Sequence, residues 1–217
     1  MVQNVLCSWS GGKDSCFALI QAIHLGYSPK VLLNVLNEEG KISRSHGIPS
    51  SILVKQGELA DLPIHLISSS WKEYETNFTS ALKYLKEQHH LTHAVFGDID
   101  LQAHRDWEEK VCARAELIAV LPLWKQNRKS LVIQMLEAGI EAVIVSCNET
   151  MGEKFIGKTI SSELIIELEQ MGVDPCGENG EYHTLVVDCP LFEYRLNVKT
   201  TSKLKHDNYW FGNLEIQ

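Results

Sequence analysis

From residue 4 to residue 147, short and nearly uninterrupted apolar runs alternate with longer stretches whose apolar residues recur at helical spacing. The runs are NVLCSW (4–9), KVLLNVL (30–36), IHLISSS from Ile64, HAVFGDI (93–99), IAVLPLW (118–124) and EAVIVSC (141–147). Apolar on both faces, they predict strands covered from both sides, as in a parallel sheet. The intervening stretches predict helices. SCFALIQAIHLGY carries Phe17, Ile20 and Ile23 at helical spacing and stops at Gly26, and HGIPSSILVKQGELADLP has Pro49 near its start. WKEYETNFTSALKYLKEQHH aligns Trp71, Tyr74, Phe78, Leu82 and Leu85 on one face; HRDWEEKVCARAEL follows, and RKSLVIQMLEAG is closed by Gly139. Repeated strand–helix–strand units imply right-handed crossovers onto both faces of a parallel, Rossmann-like α/β sheet, with the ligand at the carboxyl ends of the strands.

Beyond residue 150 the alternation loosens to one clear helix, SSELIIELEQMG, a loop, VDPCGENGEYH, and strand-like TLVVD and YRLNVKT. This reads as a smaller C-terminal α/β subdomain. The boundary falls softly between 135 and 150, and we divide the chain into 1–140, the ligand-binding domain, and 141–217, a substrate-binding subdomain. There is no linker-like composition, internal repeat or low-complexity tract.

With 217 residues, 44% of them apolar and 22% charged, the chain can bury a substantial core. No stretch approaches the roughly 18 apolar residues of a membrane span, and MVQNVLCSWSGG lacks the basic start and long apolar segment of a signal peptide, so a cytoplasmic protein without a membrane role is expected. Six cysteines lie far apart with no CxxC pair, which predicts reduced, buried thiols. The net charge of −8 disfavours a nucleic-acid partner, since the only basic clusters are WKQNRK (124–129) and KTTSKLK (199–205).

Between the first strand and the first helix lies Ser10-Gly11-Gly12-Lys13-Asp14-Ser15. Glycines let the backbone turn tightly and approach a ligand, and the first amides of a helix have no intrahelical partner, so the loop suits an anion. Lys13 adds positive charge, Ser10 and Ser15 add hydroxyls, and Asp14 suits a Mg²⁺ riding on phosphate oxygens. A Walker A loop would need glycine at Cys7 and Ser or Thr at Asp14, and the spaced glycines of a dinucleotide fingerprint are absent. A purely structural reading makes the loop a turn capped by Ser10 or Asp14, but a cap needs neither Gly-Gly nor Lys.

SGGKDS at this junction resembles the PP-loop of the ATP pyrophosphatase superfamily, and the resemblance implies an adenine nucleotide α-hydrolase-like fold and cleavage of ATP between its α and β phosphates. GVDPCGENGEYHTLVVDCPLF (172–192) resembles the second signature of the diphthine–ammonia ligase-like family within it. With VFGDI, RDWEEKVCARAEL and LPLW, the similarity runs to about Phe192. Members of that family convert diphthine on elongation factor 2 to diphthamide with ATP and ammonia. One segment departs: where those enzymes carry small residues and a Tyr-Gln-x-x-Arg stretch, this chain reads GDIDLQAHRDWEE, so nucleotide chemistry carries over more safely than the acceptor.

The expected activity is an ATP-dependent carbon–nitrogen ligase. The substrate carboxylate attacks the α-phosphorus, pyrophosphate leaves, and ammonia or another amine then displaces AMP. Ser10, Gly11, Gly12, Lys13, Asp14 and Ser15 are expected on the phosphates, with His46, Gly97 and Asp98 near the nucleotide. Glu178, Asn179, Gly180, Glu181 and His183 are expected at the substrate or amine; Lys13, Asp14, Glu178 and Glu181 are the candidate catalytic groups and Asp14 the candidate metal ligand. The partners implied are ATP, a carboxylate-bearing small molecule or modified side chain, and ammonia; a homodimer is also admitted. Alternatives are a tRNA-modifying PP-loop enzyme, against which charge and cysteine pattern argue, and a non-catalytic ATP-binding protein. His89, His90 and His93 straddle a helix end with no matching acids and read as surface residues, and Cys176 as packing.

Overall fold

A computed structural model describes residues 3–217, so the first two residues of the amino-terminal stretch lie outside it. The first half alternates as the sequence predicts: β1 (Gln3–Ser8), α1 (Lys13–His24), β2 (Tyr27–Leu36), α2 (Ser50–Leu59), β3 (Ile64–Ser68), α3 (Tyr74–His89), β4 (His93–Val95), α4 (Gln102–Arg114) and β5 (Ile118–Val120). These five strands form one parallel sheet in the order β3-β2-β1-β4-β5. The chain builds outward from β1 in one direction and then, after β3, returns to add β4 on its other side. The carboxyl ends of β1 and β4 therefore flank a topological switch point, where open α/β sheets bind ligands.

One apolar core, including Leu6, Leu33, Phe78, Leu82, Phe96 and Val111, packs α3 and α4 on one face of this sheet. The other face holds a larger core that runs from Val5, Phe17 and Ile52 into Leu131, Ile144, Leu168 and Leu185 of the second half. Helices on both faces exclude water from the strands, which is why these can be apolar throughout.

The second half comprises α5 (Arg128–Glu137), β6 (Glu141–Asn148), α6 (Ser162–Gln170), β7 (Tyr182–Asp188), β8 (Val198–His206) and β9 (Tyr209–Ile216). Its strands form an antiparallel sheet ordered β7-β6-β9-β8. Here the sequence reading needs correction. EAVIVSC does not extend the parallel sheet but founds the second one, and the strand at 209–216 was not foreseen. The KTTSKLK cluster lies on β8, an edge strand whose lysines discourage pairing with another chain.

Other corrections are local. β4 ends at Val95, three residues instead of seven, because Gly97 backs against the chain at Asp14 and Ser15. Trp71 precedes α3 and is 67% exposed instead of lying on its buried face. His93 is buried, its Nδ1 2.7 Å from Thr92 Oγ1 and its ring edge-on to Tyr27, so it is no surface residue. All six cysteines are free and buried, as read.

Candidate active site

After β1 the chain turns through Ser10, Gly11 and Gly12 into α1. The two glycines serve different ends. Gly11 has φ +84°, and a Cβ there would also meet Gln56 Oε1 and Leu53 Cδ2 at 2.9 Å. Gly12 has ordinary backbone angles, but a Cβ would lie 2.7 Å from His46 Cε1 and 3.0 Å from the Thr184 carbonyl oxygen. Ser15 Oγ closes the turn, accepting from Ser10 N at 3.2 Å and donating to the Gly12 carbonyl at 3.1 Å. No side chain caps α1, so helix capping does not account for the loop.

β7 braces this turn from the second sheet. Val186 N donates to the Gly11 carbonyl at 2.9 Å, and Lys13 N donates to Thr184 Oγ1 at 3.1 Å. Gln56 of α2 donates through Nε2 to both the Gly11 and Val186 carbonyls, at 3.1 and 2.8 Å. The loop is thus held by two elements, β7 and α2, before any ligand arrives, which is preorganisation of the kind that electrostatic catalysis requires.

Lys13 is only 3% exposed. Its Nζ donates to both Asp14 carboxylate oxygens, at 3.0 and 2.9 Å, and to the Cys176 carbonyl at 2.5 Å, and it lies 5.2 Å from the Tyr182 ring centroid. Burial alone would favour the neutral amine, yet the neighbouring Asp14 charge outweighs it and keeps the ammonium protonated well above the usual range.

A cavity of about 470 Å³ opens over the loop, a size typical of small-molecule sites. Ser10, Asp14, Ser15, His46, Gly97, Asp98, Glu178, Asn179, Gly180 and His183, all singled out from sequence, line it. Gly11, Gly12, Lys13 and Glu181 do not. The Glu181 carboxylate instead ties its own loop, accepting from Asp174 N at 3.4 Å, Asn179 N at 3.1 Å and Asn179 Nδ2 at 3.1 Å.

The cavity is electrostatically divided. Burial, reinforced by the Asp14 and Asp98 charges, pushes the Glu178 carboxyl up to about 7. Burial also opposes ionisation of Asp98, but the contact with His104 (Nδ1 to Oδ1, 2.6 Å), with the Glu108 acid nearby, prevails and holds that carboxyl below its usual value. Behind Asp98, Glu108 of α4 is 3% exposed and pushed up to about 11, chiefly by burial, so it stands as a neutral acid. Opposite, the His46 and His183 rings lie 4.6 Å apart, tilted by 35°. His46 Nδ1 lies 3.0 Å from the Thr184 carbonyl, which can only accept, so Nδ1 carries the proton and Nε2 is an acceptor. Burial lowers His46 to about 4 and His183 to about 3, leaving both neutral at physiological pH.

Carboxylates of Asp14, Asp98 and Glu178 share the cavity, a hard oxygen set suited to Mg²⁺. No group of three or more His, Cys, Asp or Glu among the described residues is arranged as a metal cage. The set therefore fits an ion that keeps most of its waters and takes one or two protein oxygens beside phosphate.

Sequence reasoning missed Arg128, hidden in WKQNRK. Its guanidinium grips Asp100 in two bonds (2.9 and 2.7 Å), Asp174 at 2.6 Å and Asn179 at 3.0 Å. Asp174 in turn accepts from Cys176 N and Glu178 N, at 3.1 and 3.0 Å. Arg128 thus fastens the loop bearing Glu178 to the segment after β4. Lys129 pairs with Glu169, so two of this cluster's three cations are spent on internal pairs. Thr184, His104 and Glu108 were also missed; only the proximity of Thr184 to GENGEY gave any signal.

Residues 3–119 match the family model described as the diphthamide synthase N-terminal domain, and residues 127–217 the one described as the diphthamide synthase C-terminal domain. The chain belongs to the diphthamide synthase family. The enzyme class expected from sequence, an ATP-dependent carbon–nitrogen ligase of the PP-loop type, goes with that membership. Among curated relatives, diphthine–ammonia ligase of Danio rerio is 29% identical over 228 residues, covering 94% of this chain and 89% of its own. The Mus musculus enzyme of that name is 29% identical over 224 residues, covering 91% and 83%. That of Schizosaccharomyces pombe is longer: 28% identity extends over 92% of this chain but 36% of the relative. A solved structure of a predicted subunit of tRNA methyltransferase from Methanocaldococcus jannaschii is similar at a TM-score of 0.48 and 17% identity, covering 87% of this chain and 98% of that one. No helix among the described residues is long and apolar enough to cross a membrane.

Proposed function

We propose that this diphthamide synthase family member adenylates a carboxylate with ATP and then joins it to ammonia. The observation that carries the reading is the braced Ser10–Ser15 turn beneath a cavity that also holds Asp14, Glu178 and two neutral imidazoles. In this reading the Gly11–Gly12 backbone and Lys13 stabilise charge building on the departing pyrophosphate, an interaction strongest in the transition state. Lys13 reaches the phosphates by exchanging its bonds to Asp14 and the Cys176 carbonyl. Asp14, freed of Lys13, would be the residue to hold a magnesium ion accompanying the nucleotide, which would neutralise phosphate charge.

The acceptor carboxylate oxygen forms a bond to the α-phosphorus as the bond to the bridging oxygen breaks. The amine nitrogen then attacks the acyl carbon and AMP leaves, with one proton lost from nitrogen. His46 Nε2 and Glu178 are the bases within the cavity. Diphthine is the acceptor that the relatives' names supply, and residues 97–109 are the segment that decides whether it is also this chain's.

The test is pyrophosphate and AMP release from ATP with ammonium, offered in parallel a diphthine-bearing protein and small carboxylic acids. Stoichiometric AMP, pyrophosphate and amide support the proposal. Release of ADP and phosphate instead would overturn it.

A further inference from the structure

We infer that Tyr209, on the last strand, is a positioning residue of the active site: with Phe211 it holds the two facing walls of the cavity at their working separation. This rests on the function proposed above and extends it to a strand that does not itself line the cavity.

A strand points residues i and i+2 to one face, so β9 presents Tyr209 and Phe211 side by side, their ring centroids 6.3 Å apart. β6 fixes their height, pairing Asn148 with Tyr209 and Ser146 with Phe211. Trp210 and Leu214, on the alternate face, pack on the larger apolar core, which does not include Tyr209 or Phe211. Core packing therefore does not account for this aromatic pair.

Each of the two meets a different loop. Tyr209 Oη donates to the Gly180 carbonyl at 2.7 Å. Gly180 has φ +84°, and a Cβ there would lie 3.3 Å from the same Oη, so loop and phenol are in close contact. This loop supplies Glu178, Asn179 and Gly180 to one wall of the cavity. Arg128 holds it through Asp174 and Asn179, and Tyr209 adds a hold two residues past Glu178.

Phe211 acts on the other wall. A Cβ on Gly47, where φ is +69°, would meet Phe211 Cδ1 at 3.2 Å and Cε1 at 3.6 Å, so the ring lies against the backbone directly after His46. One strand thus touches both the loop that carries His46 and the loop that carries Glu178. Groups that must act on one reacting centre need a fixed separation, since a misplacement of about 1 Å can cost about 100-fold in rate.

The experiment combines hydrogen–deuterium exchange and steady-state kinetics on the full chain carrying Tyr209→Phe, which deletes one hydroxyl. Amides at 176–181 should exchange about fivefold faster than in the unaltered protein, the equivalent of one hydrogen bond, with those of β6 and β7 unchanged. With the acceptor that supports amide formation, KM for ammonium should rise about fivefold while KM for ATP stays within about twofold. Phe211→Leu should instead speed exchange at 44–48. Unchanged exchange at 176–181 in Tyr209→Phe would overturn the inference. Faster exchange throughout the second sheet, or an equal rise in both KM values, would also overturn it, reducing Tyr209 to a structural residue. The exchange arm needs no turnover, so absence of AMP and pyrophosphate from the unaltered protein would remove the proposed function alone, with exchange still deciding the inference.

Discussion

Lys13 and Cys176, 163 positions apart in the chain, meet beneath the cavity wall: the buried ammonium donates to the Cys176 carbonyl at 2.5 Å. One cation therefore joins the amino-terminal loop to the carboxyl-terminal signature before any nucleotide is present. It is also the group proposed to turn toward phosphate, so binding and loop movement are coupled through a single side chain.

Lys13→Met should cost about 2–4 kcal/mol of transition-state stabilisation, by analogy with the loss of one preorganised donor. Steady-state pyrophosphate release measures this as a fall in kcat/KM of roughly 30- to 1000-fold. Turnover near that of the unaltered enzyme would remove Lys13 from the chemistry.

Glu178 sets a pH signature. Its folded carboxyl titrates near 7 against an ordinary 4.5, so the unfolded chain gives up this proton first. The stability it contributes is complete below pH 4.5 and is lost as pH rises through about 7. Glu178→Gln stays neutral and should flatten that decline, read as urea midpoints at pH 5 and pH 8. If the ionised carboxylate is the working form, kcat of the unaltered enzyme rises through pH 7 and the variant loses that limb.

Arg128→Met should unfasten the Glu178 loop and strand Asp174, which is nearly buried. A loss of about 2–3 kcal/mol is expected, below that of a fully buried pair because Asp100 stays partly exposed. Chemical denaturation reads the stability and kcat/KM the site. Arg128→Lys should recover only part of it, having no planar fork for Asp100. Equal stability in all three proteins would make the cluster incidental.

Gly97→Ala tests close packing at the switch point. Its Cβ would lie 2.8 Å from Asp14 C and Ser15 N, backbone atoms that cannot rotate aside. About 1–3 kcal/mol of overpacking is expected, with weaker ATP binding because the phosphate loop must move. Gly26→Ala is the control: φ is +92° but nothing lies within 4 Å, so it should cost about 1 kcal/mol of backbone strain and leave ATP affinity alone. Equal ATP affinities in the two variants would contradict this.

The parallel sheet was legible because strands buried on both faces must be apolar, and Val5, Leu32 and Val95 obey that rule. The tight turn at Ser10–Ser15 was legible because Gly11 and Gly12 sit at a strand–helix junction. The direction of β6 was not, since EAVIVSC is equally suited to parallel or antiparallel neighbours and its partners follow later in the chain. Glu178 and Glu181 look alike in GENGEYH, yet only the first lines the cavity. Their difference comes from the turn between them, in which Asn179 donates to Glu181. Arg128 read as surface charge because a sequence displays cations without their counterions. Glu108 was passed over because nothing local distinguishes it from Glu109, and only the packing of α4 against the sheet buries one of them.

The bond from Val186 N to the Gly11 carbonyl means that the Ser10–Ser15 turn is completed by a strand encoded far downstream. Severing the polypeptide near residue 120 would yield an amino-terminal fragment with every PP-loop residue but no β7 to shape it. Substitutions at Val186 should consequently read as nucleotide-affinity mutants, although Val186 does not line the cavity.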